Sequence, residues 1–362
     1  MTASVWIEPD TAFIEEVMSS GGAGLKKCFQ CAACSAVCNL SPEDSPFPRR
    51  QIIAAQWGLK ERVVGDPALW LCHDCGDCTV QCPRGARPSD TLGALRQAAI
   101  KHFAVPQALA KAVASPKMLV LLLLVPALIF AGIALWAPKT ELDPLKFASV
   151  FPIGVLEPLF FIVAGLVALA FATGIARFVR ALRASGASAP ILAGLAPALK
   201  EILAHSRFSK CDRGGNRRLG HLLTLWGFAG LALMGTVVGI GTMAGIVHTP
   251  LALTNPLKIF ANLCAVAILA GSITLLAERT RDPVERTAST YFDWFFLLTL
   301  VGVVVTGIGS ELLRLARAAG TMYVVYFVHL VLIFALFLYA PYSKFAHFVY
   351  RTVAMAAVGR KS

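Results

Sequence analysis

A run of four cysteines, Cys28-x2-Cys31-x2-Cys34-x3-Cys38, returns 44 residues later as Cys72-x2-Cys75-x2-Cys78-x3-Cys82. Three thiolates spaced two residues apart can wrap one face of an iron–sulfur cube, and in two-cluster arrangements the fourth cysteine of each run crosses to the other cluster. The duplication therefore predicts one [4Fe–4S] cluster on Cys28, Cys31, Cys34 and Cys82, and a second on Cys72, Cys75, Cys78 and Cys38. Structural zinc prefers two separated cysteine pairs, and disulfides are rare where thiols stay reduced. The first run exits through Cys38-Asn39, the second through Cys82-Pro83, and the proline shapes only the exit turn. His73, inside the second run, reads as a surface residue that tunes potential. Cys264 reads as a small apolar side chain, and Cys211 sits in a basic loop.

Everything after residue 117 has another character. Six stretches, roughly 118–136, 155–176, 220–247, 257–277, 292–310 and 322–340, reach the length of about 20 apolar residues that spans a bilayer. They account for 57% apolar and only 15% charged residues, which excludes an ordinary soluble enzyme and a disordered chain. The predicted fold is mainly α: a helical two-cluster ferredoxin-like domain over 1–110, then a six-helix transmembrane bundle over 111–362. A short helix is expected over Pro9–Met18 and another over 88–104, with 104–116 as a link along the membrane surface. No short apolar core of a secretion signal stands at the N-terminus, so none is expected.

Charge sets the expected orientation. With six spans and a cytoplasmic N-terminus, the inner segments 177–218, 278–290 and 341–362 hold sixteen Lys and Arg, and the outer segments 138–152, 248–256 and 310–321 hold four. The positive-inside rule then puts both termini and the cysteine module in the cytoplasm, at the inner membrane. It also explains the net charge of +12 without nucleic acid, for which there is no recognition motif.

Ionisable side chains in membrane helices are rare and usually functional. Five of seven histidines, His205, His221, His248, His329 and His347, fall in or beside the membrane region, and b-type haem iron is commonly held by two axial imidazoles. His329 and His347, 18 residues apart, share a face if one helix continues through Pro341, about 27 Å apart along it. His221 and His248, 27 residues apart, fall on opposite faces of an ideal helix, although Gly239, Gly241, Gly245 and Pro250 allow the outer end to unwind. The expected pairs are His221–His347 for an inner haem b and His248–His329 for an outer one, with His205 as the reserve inner ligand. Glu157, Asp293, His205 and Arg207 are candidate groups for a quinone site, with a helix cap or loop charge the plainer role of each carboxylate.

The N-terminal third resembles heterodisulfide reductase C subunits, and the remainder resembles heterodisulfide reductase E subunits and the gamma subunit of membrane nitrate reductase. Their fusion in this order resembles the C subunits of quinone-interacting membrane-bound oxidoreductase (Qmo) complexes. PFPRRQIIAAQWGLKERVVGDPALWLCHDC, QCPRGARPSDTLGALR and PYSKFAHFVYR carry the likeness. It implies two [4Fe–4S] clusters, two haems b, a quinone substrate of the menaquinone class, flavin-containing partner subunits A and B, and exchange with adenylylsulfate (APS) reductase in dissimilatory sulfur metabolism. One departure stands out. The nitrate reductase subunit carries two closely spaced histidines in the helix where this chain has only His221. Two alternatives are a heterodisulfide reductase-type or sulfite-reductase-linked membrane subunit, and a haem-free anchor for the clusters.

Overall fold

The structure, a computed structural model, describes residues 8–42, 46–136, 145–187, 189–211 and 215–358. Residues 138–144 of the expected outer segment and 212–214 of the inner one lie outside these. The described residues form helices, turns and connecting loops, with no strand among them. The helices used below are α1 (Thr11–Ser19), α2 (Arg49–Gln56), α3 (Pro88–Phe103), α4 (Gln107–Val113), α5 (Leu119–Trp136), α6 (Ile153–Ala184), α7 (Ile191–Ala204), α8 (Gly215–Met243), α9 (Pro256–Arg281), α10 (Tyr291–Leu315), α11 (Ala319–Leu338) and α12 (Ala346–Val358).

Local chemistry sets several boundaries. Asp10 caps α1 by accepting from the Phe13 amide at 2.8 Å, satisfying one of the free first-turn N–H groups. α3 begins with Pro88, whose missing N–H costs nothing at a helix start. Thr290 and Asp293 form a capping box at the start of α10, and the Asp293 carboxylate also pairs with Lys344.

Among the described residues six helices are long and apolar enough to cross a membrane, α5, α6, α8, α9, α10 and α11, at the six sequence positions expected. Their outward faces are apolar: Val120, Ile162, Leu263 and Val324 are each more than 60% exposed, which a protein surrounded by water does not sustain over a whole surface. α6 has 32 residues, about 48 Å of helix, so its basic end outruns a hydrocarbon core about 30 Å thick. There the Arg177 guanidinium donates to the carbonyls of Phe103 and Ala104 at the C-terminus of α3, where a helix favours a cation.

The cysteine module and the bundle share one core. Phe13, Val17, Leu69, Trp70, Leu95 and Phe103 pack with Phe178 and Leu182 of α6, Ala198 and Ile202 of α7, and Tyr350 and Val353 of α12. Trp70 is fully buried, with ring centroids 5.8 Å from Phe178, 5.4 Å from Tyr350 and 5.5 Å from His347. Truncating so large a buried ring to Ala costs about 3–5 kcal/mol, so this residue does much to lock the module to the membrane helices.

The single helix assumed for His329 and His347 is not present. α11 ends at Leu338, a 3-10 turn occupies Ala340–Tyr342, and α12 starts afresh at Ala346. Pro341 cannot supply the amide a continuing helix needs, and Ser343 is extended. The Tyr339 and Tyr342 hydroxyls fix the turn, donating to the carbonyls of Leu122 and Val105 at 2.9 and 2.8 Å.

Candidate functional site

The two cysteine runs fold alike. Each ends in a one-turn helix, Ala33–Ala36 and Asp77–Val80, and each reaches it through two residues with left-handed backbone: Gln30 (φ 59°) and Ala32 (φ 70°) in the first, Asp74 (φ 59°) and Gly76 (φ 83°) in the second. For the three non-glycine residues this costs about 1–3 kcal/mol each and persists only where the surroundings impose it. The conformation aims backbone amides at sulfur: Gln30 N lies 3.5 Å from Cys28 Sγ, Asp74 N 3.3 Å from Cys72 Sγ, and Ala86 N 3.3 Å from Cys82 Sγ. N–H donors to thiolate are one of the protein's means of setting a cluster's potential.

The thiols gather across the runs. Cys34 feels the charge of Cys28, Cys82 and Cys31. Cys38, from the first run, feels Cys72 and Cys75, and Cys78 feels Cys72, Cys75, Cys34 and Cys38. Burial first, then this mutual repulsion, raises Cys34 and Cys78 above the usual thiol range and pushes Cys38 up to about 11. Thiols packed this way resist ionising together unless a cation joins them. Iron supplies that charge, and the eight thiols fit two four-thiolate clusters in chemistry and in grouping.

Two arginines attend the second group, one buried and one partly buried. Arg96, 6% exposed, pairs with the Asp74 carboxylate at 3.4 Å and lies close enough to Cys72 to feel its charge. Arg351 of α12 donates to the Cys72 carbonyl at 3.1 Å and lies 2.6 Å from His73 Nε2. His73 is thus 7% exposed, not a surface residue. Desolvation, then the Arg351 charge, hold it neutral, with its pKa down to about 2. A fold-back across 278 residues leaves no local pattern in the sequence. Cys31 and Phe29 of the first run, in contrast, are exposed, with Arg84 stacked 4.2 Å over the Phe29 ring. The first group therefore faces outward and the second faces the bundle.

The histidines divide by side. His205, His221 and His347 lie at the seam between module and bundle. The His205 and His221 ring centroids are 6.0 Å apart at 24°, and Phe208 closes a triangle with them at 5.2 and 5.5 Å. Nδ1 of His205 is buried with no partner, and Phe208 occupies the space beside the midpoint of the two imidazoles. His347 packs on Trp70 instead, in a cavity shared with Arg96, Asp293 and Lys344; burial, then Arg96 and Arg351, hold its pKa well below the usual value. On the other side, His329 Nδ1 lies 3.0 Å from the Val303 carbonyl and 3.2 Å from Thr306 Oγ1. This leaves Nε2 as the open ligand atom, a common arrangement for metal-bound histidine. His248 is exposed beyond the end of α8, and among the described residues no contact joins it to His329. Glu157 rests its carboxylate against Gly239 of α8, while Asp293 is committed to its cap and to Lys344. Cys264 is buried against Gly230, as a small apolar residue.

Sequence reasoning passed over Cys211. It lies with Cys75 and Asp77, ligand atoms within 4.8 Å of one another, in a cavity lined also by Cys38, Cys72 and Cys78.

Comparison with known proteins adds an independent line. Residues 24–86 match the 4Fe-4S dicluster domain family. Over 93 residues the chain is 40% identical to the C subunit of the H(2):CoB-CoM heterodisulfide,ferredoxin reductase of Methanothermobacter thermautotrophicus, covering 25% of this chain and 50% of that protein. The N-terminal quarter is homologous to heterodisulfide reductase C subunits. The C subunit of the Ferredoxin:CoB-CoM heterodisulfide reductase of Methanosarcina mazei is 33% identical over 93 residues, 25% of this chain and 57% of that protein. A protein of Archaeoglobus profundus, itself named for its likeness to the heterodisulfide reductase C subunit, is 30% identical over 92 residues, 25% and 49% respectively. The chain spans about half the length of these curated relatives. No solved structure matches it. The chain thus joins an iron–sulfur electron-transfer domain of this type to a membrane-spanning region.

Proposed function

We propose that this protein is the membrane electron-transfer subunit of a quinone-linked oxidoreductase, moving electrons between the quinone pool and cytoplasmic partners through two haems b and two [4Fe–4S] clusters. One observation carries the reading: the second cysteine group, flanked by Arg96 and Arg351, follows directly on Trp70, against which His347 of the bundle packs, while Cys31 of the first group is exposed. Iron–sulfur clusters and haems supply one-electron steps, and the side chains do the rest. Cys28, Cys31, Cys34 and Cys82 hold the outward-facing cluster, and Cys72, Cys75, Cys78 and Cys38 the inward one. His221 with His347, or with His205 that the fold sets beside it, holds the inner haem. His329 with His248 is the proposed outer pair, and support there comes from His329 alone. Quinol releases protons as it gives up electrons. Glu157, whose carboxylate is not tied up in a cap, is the proposed acceptor near the outer side.

The partners proposed from the resemblance are flavin-containing subunits of the Qmo A and B type and, beyond them, APS reductase, with menaquinone as the membrane substrate. The relatives' names favour a second reading, a heterodisulfide reductase-type complex with other soluble subunits, and the proteins that co-purify with the native complex separate the two. The test of the electron path is an optical difference spectrum of the purified protein, oxidised against quinol-reduced, with haem and non-haem iron measured. About two haems reduced by quinol and about eight other irons are expected. Eight irons with no haem would leave an anchor for the clusters and end the proposal. Ala substitution at His329 or at His221 should each remove one haem, and survival of both haems in either variant would reject the ligand scheme.

A further inference from the structure

The second cluster site holds one thiol too many. Cys38, Cys72, Cys75 and Cys78 suffice for a cubane, yet the cavity they line is also lined by Cys211 and His73. Cys211 reaches it from Ser206–Lys210, a turn docked onto the cysteine runs at several points. The Asn39 side chain donates to the Lys210 carbonyl at 3.0 Å. The Phe208 ring stands 4.6 Å from His73, edge to face. Just beyond, Arg217 donates to the Asp74 carbonyl at 2.7 Å. Asp77, within 4.8 Å of both Cys75 and Cys211, accepts from the Cys75 thiol at 3.2 Å. His73, which also lines this cavity, is more than nine-tenths buried and has its Nδ1 without a partner. Cys72 and Cys78 are buried, whereas Cys75 and Cys38 are half-exposed. Of these two, Cys75 is the one whose sulfur lies within 4.8 Å of Cys211, so it is the ligand placed to exchange.

We infer that Cys211 is a fifth, exchangeable ligand of the second cluster that can replace Cys75 on the same iron. The exchange balances without any oxidant: the Cys75 sulfur–iron bond breaks, a Cys211 sulfur–iron bond forms, and the proton leaving the Cys211 thiol passes to Cys75. Iron keeps its thiolate count and its charge. The turn that carries Cys211 also carries Phe208, which packs against His205 and His221. A rearrangement at the inner histidines therefore has a direct mechanical route to this ligand.

The inference rests on the two-cluster reading, and one experiment separates the two. Full-length protein is purified anaerobically in detergent as wild type, Cys75→Ala, Cys211→Ala, the double variant and Cys78→Ala. Non-haem iron and labile sulfide are counted, and the dithionite-reduced protein is examined by electron paramagnetic resonance. Wild type with about eight irons supports the parent reading, and about four or fewer would overturn that reading itself. Cys211→Ala should match wild type. Cys75→Ala should keep about eight irons with one cluster signal altered, and the double variant should fall to about four, as should Cys78→Ala. The inference is overturned if Cys75→Ala alone loses about four irons, if it fails to accumulate while Cys211→Ala accumulates, or if the double variant keeps as much iron as Cys75→Ala.

Discussion

Arg351 shows most directly how single residues join the two halves. Its guanidinium is partly buried, bonded to the Cys72 carbonyl and beside His73, so it places a fixed positive charge next to the second thiolate set. Reduction adds negative charge there, and low dielectric makes a nearby cation count. Arg351→Leu should lower the potential of the second cluster by about 60 mV or more, one tenfold step for a one-electron couple, and leave the first nearly unmoved. A redox titration followed by electron paramagnetic resonance would read both, with Arg351→Lys recovering part of the shift. His102 carries a pH prediction. Its Nε2 lies 3.8 Å from a Glu61 carboxylate, which favours the charged ring, yet desolvation is the larger effect and the pKa ends below the usual value. The unfolded chain then binds this proton first, so stability is full above about pH 6.5 and falls as pH drops below it. Apparent melting of the detergent-solubilised protein should decline from pH 7.5 to 5.5, and less steeply in His102→Asn. At this scale the two cysteine runs stood out in the sequence, because cluster chemistry fixes their spacing, and they fall within the matched dicluster domain. His73, Arg96, Arg351 and Cys211 were not, because their roles come from contacts between distant parts of the chain.

Among the elements, the pair α8 and α9 illustrates how packing without water works. Lipid offers no hydrophobic drive between helices, so small residues that let backbones approach become the contact. A Cβ on Gly271 would sit 2.6 Å from Thr224 Oγ1 and 2.7 Å from the Gly220 carbonyl. Gly271→Val should therefore force the helices apart at a cost of about 1–3 kcal/mol, with Gly271→Ala milder. Heat-induced aggregation and the amount of protein in membranes would show the order wild type, Ala, Val, and equal stability of all three would reject the close approach. The membrane helices themselves were plain in the sequence because twenty apolar residues have few other uses. The break between α11 and α12 was less so. Pro341 marked it, but an 18-residue histidine spacing argued for continuity, and the Tyr339 and Tyr342 hydrogen bonds that hold the turn span more than 200 residues. α7 was missed for a similar reason. It hides in a loop whose charge stood out more than its period, and its partner is α12, with Gly194 tight against the Ala356 backbone.

At the level of the whole molecule, all eight motif cysteines, His205, His221, His347 and the basic end of α6 lie on one side of the bundle, with His329 and Glu157 toward the other. Such polarity is useful to an electron carrier only if the cysteine side faces soluble partners. The long helix α6 argues for the same orientation. Its last turns bear Arg177, Arg180 and Arg183 and pack into the core of the cysteine module, and cationic helix ends are retained on the cytoplasmic side. A fluorescent protein fused after residue 362 should therefore fluoresce, and alkaline phosphatase inserted at Leu253, in the exposed loop between α8 and α9, should be active, because that enzyme matures only in an oxidising compartment. The opposite pair of results would put the cysteine module outside. It would also deny the clusters the cytoplasmic partners proposed above, whatever the haem, iron and quinol measurements gave. Topology is therefore a test of function here: the same cofactors serve a cytoplasmic reductase in one orientation and cannot reach it in the other.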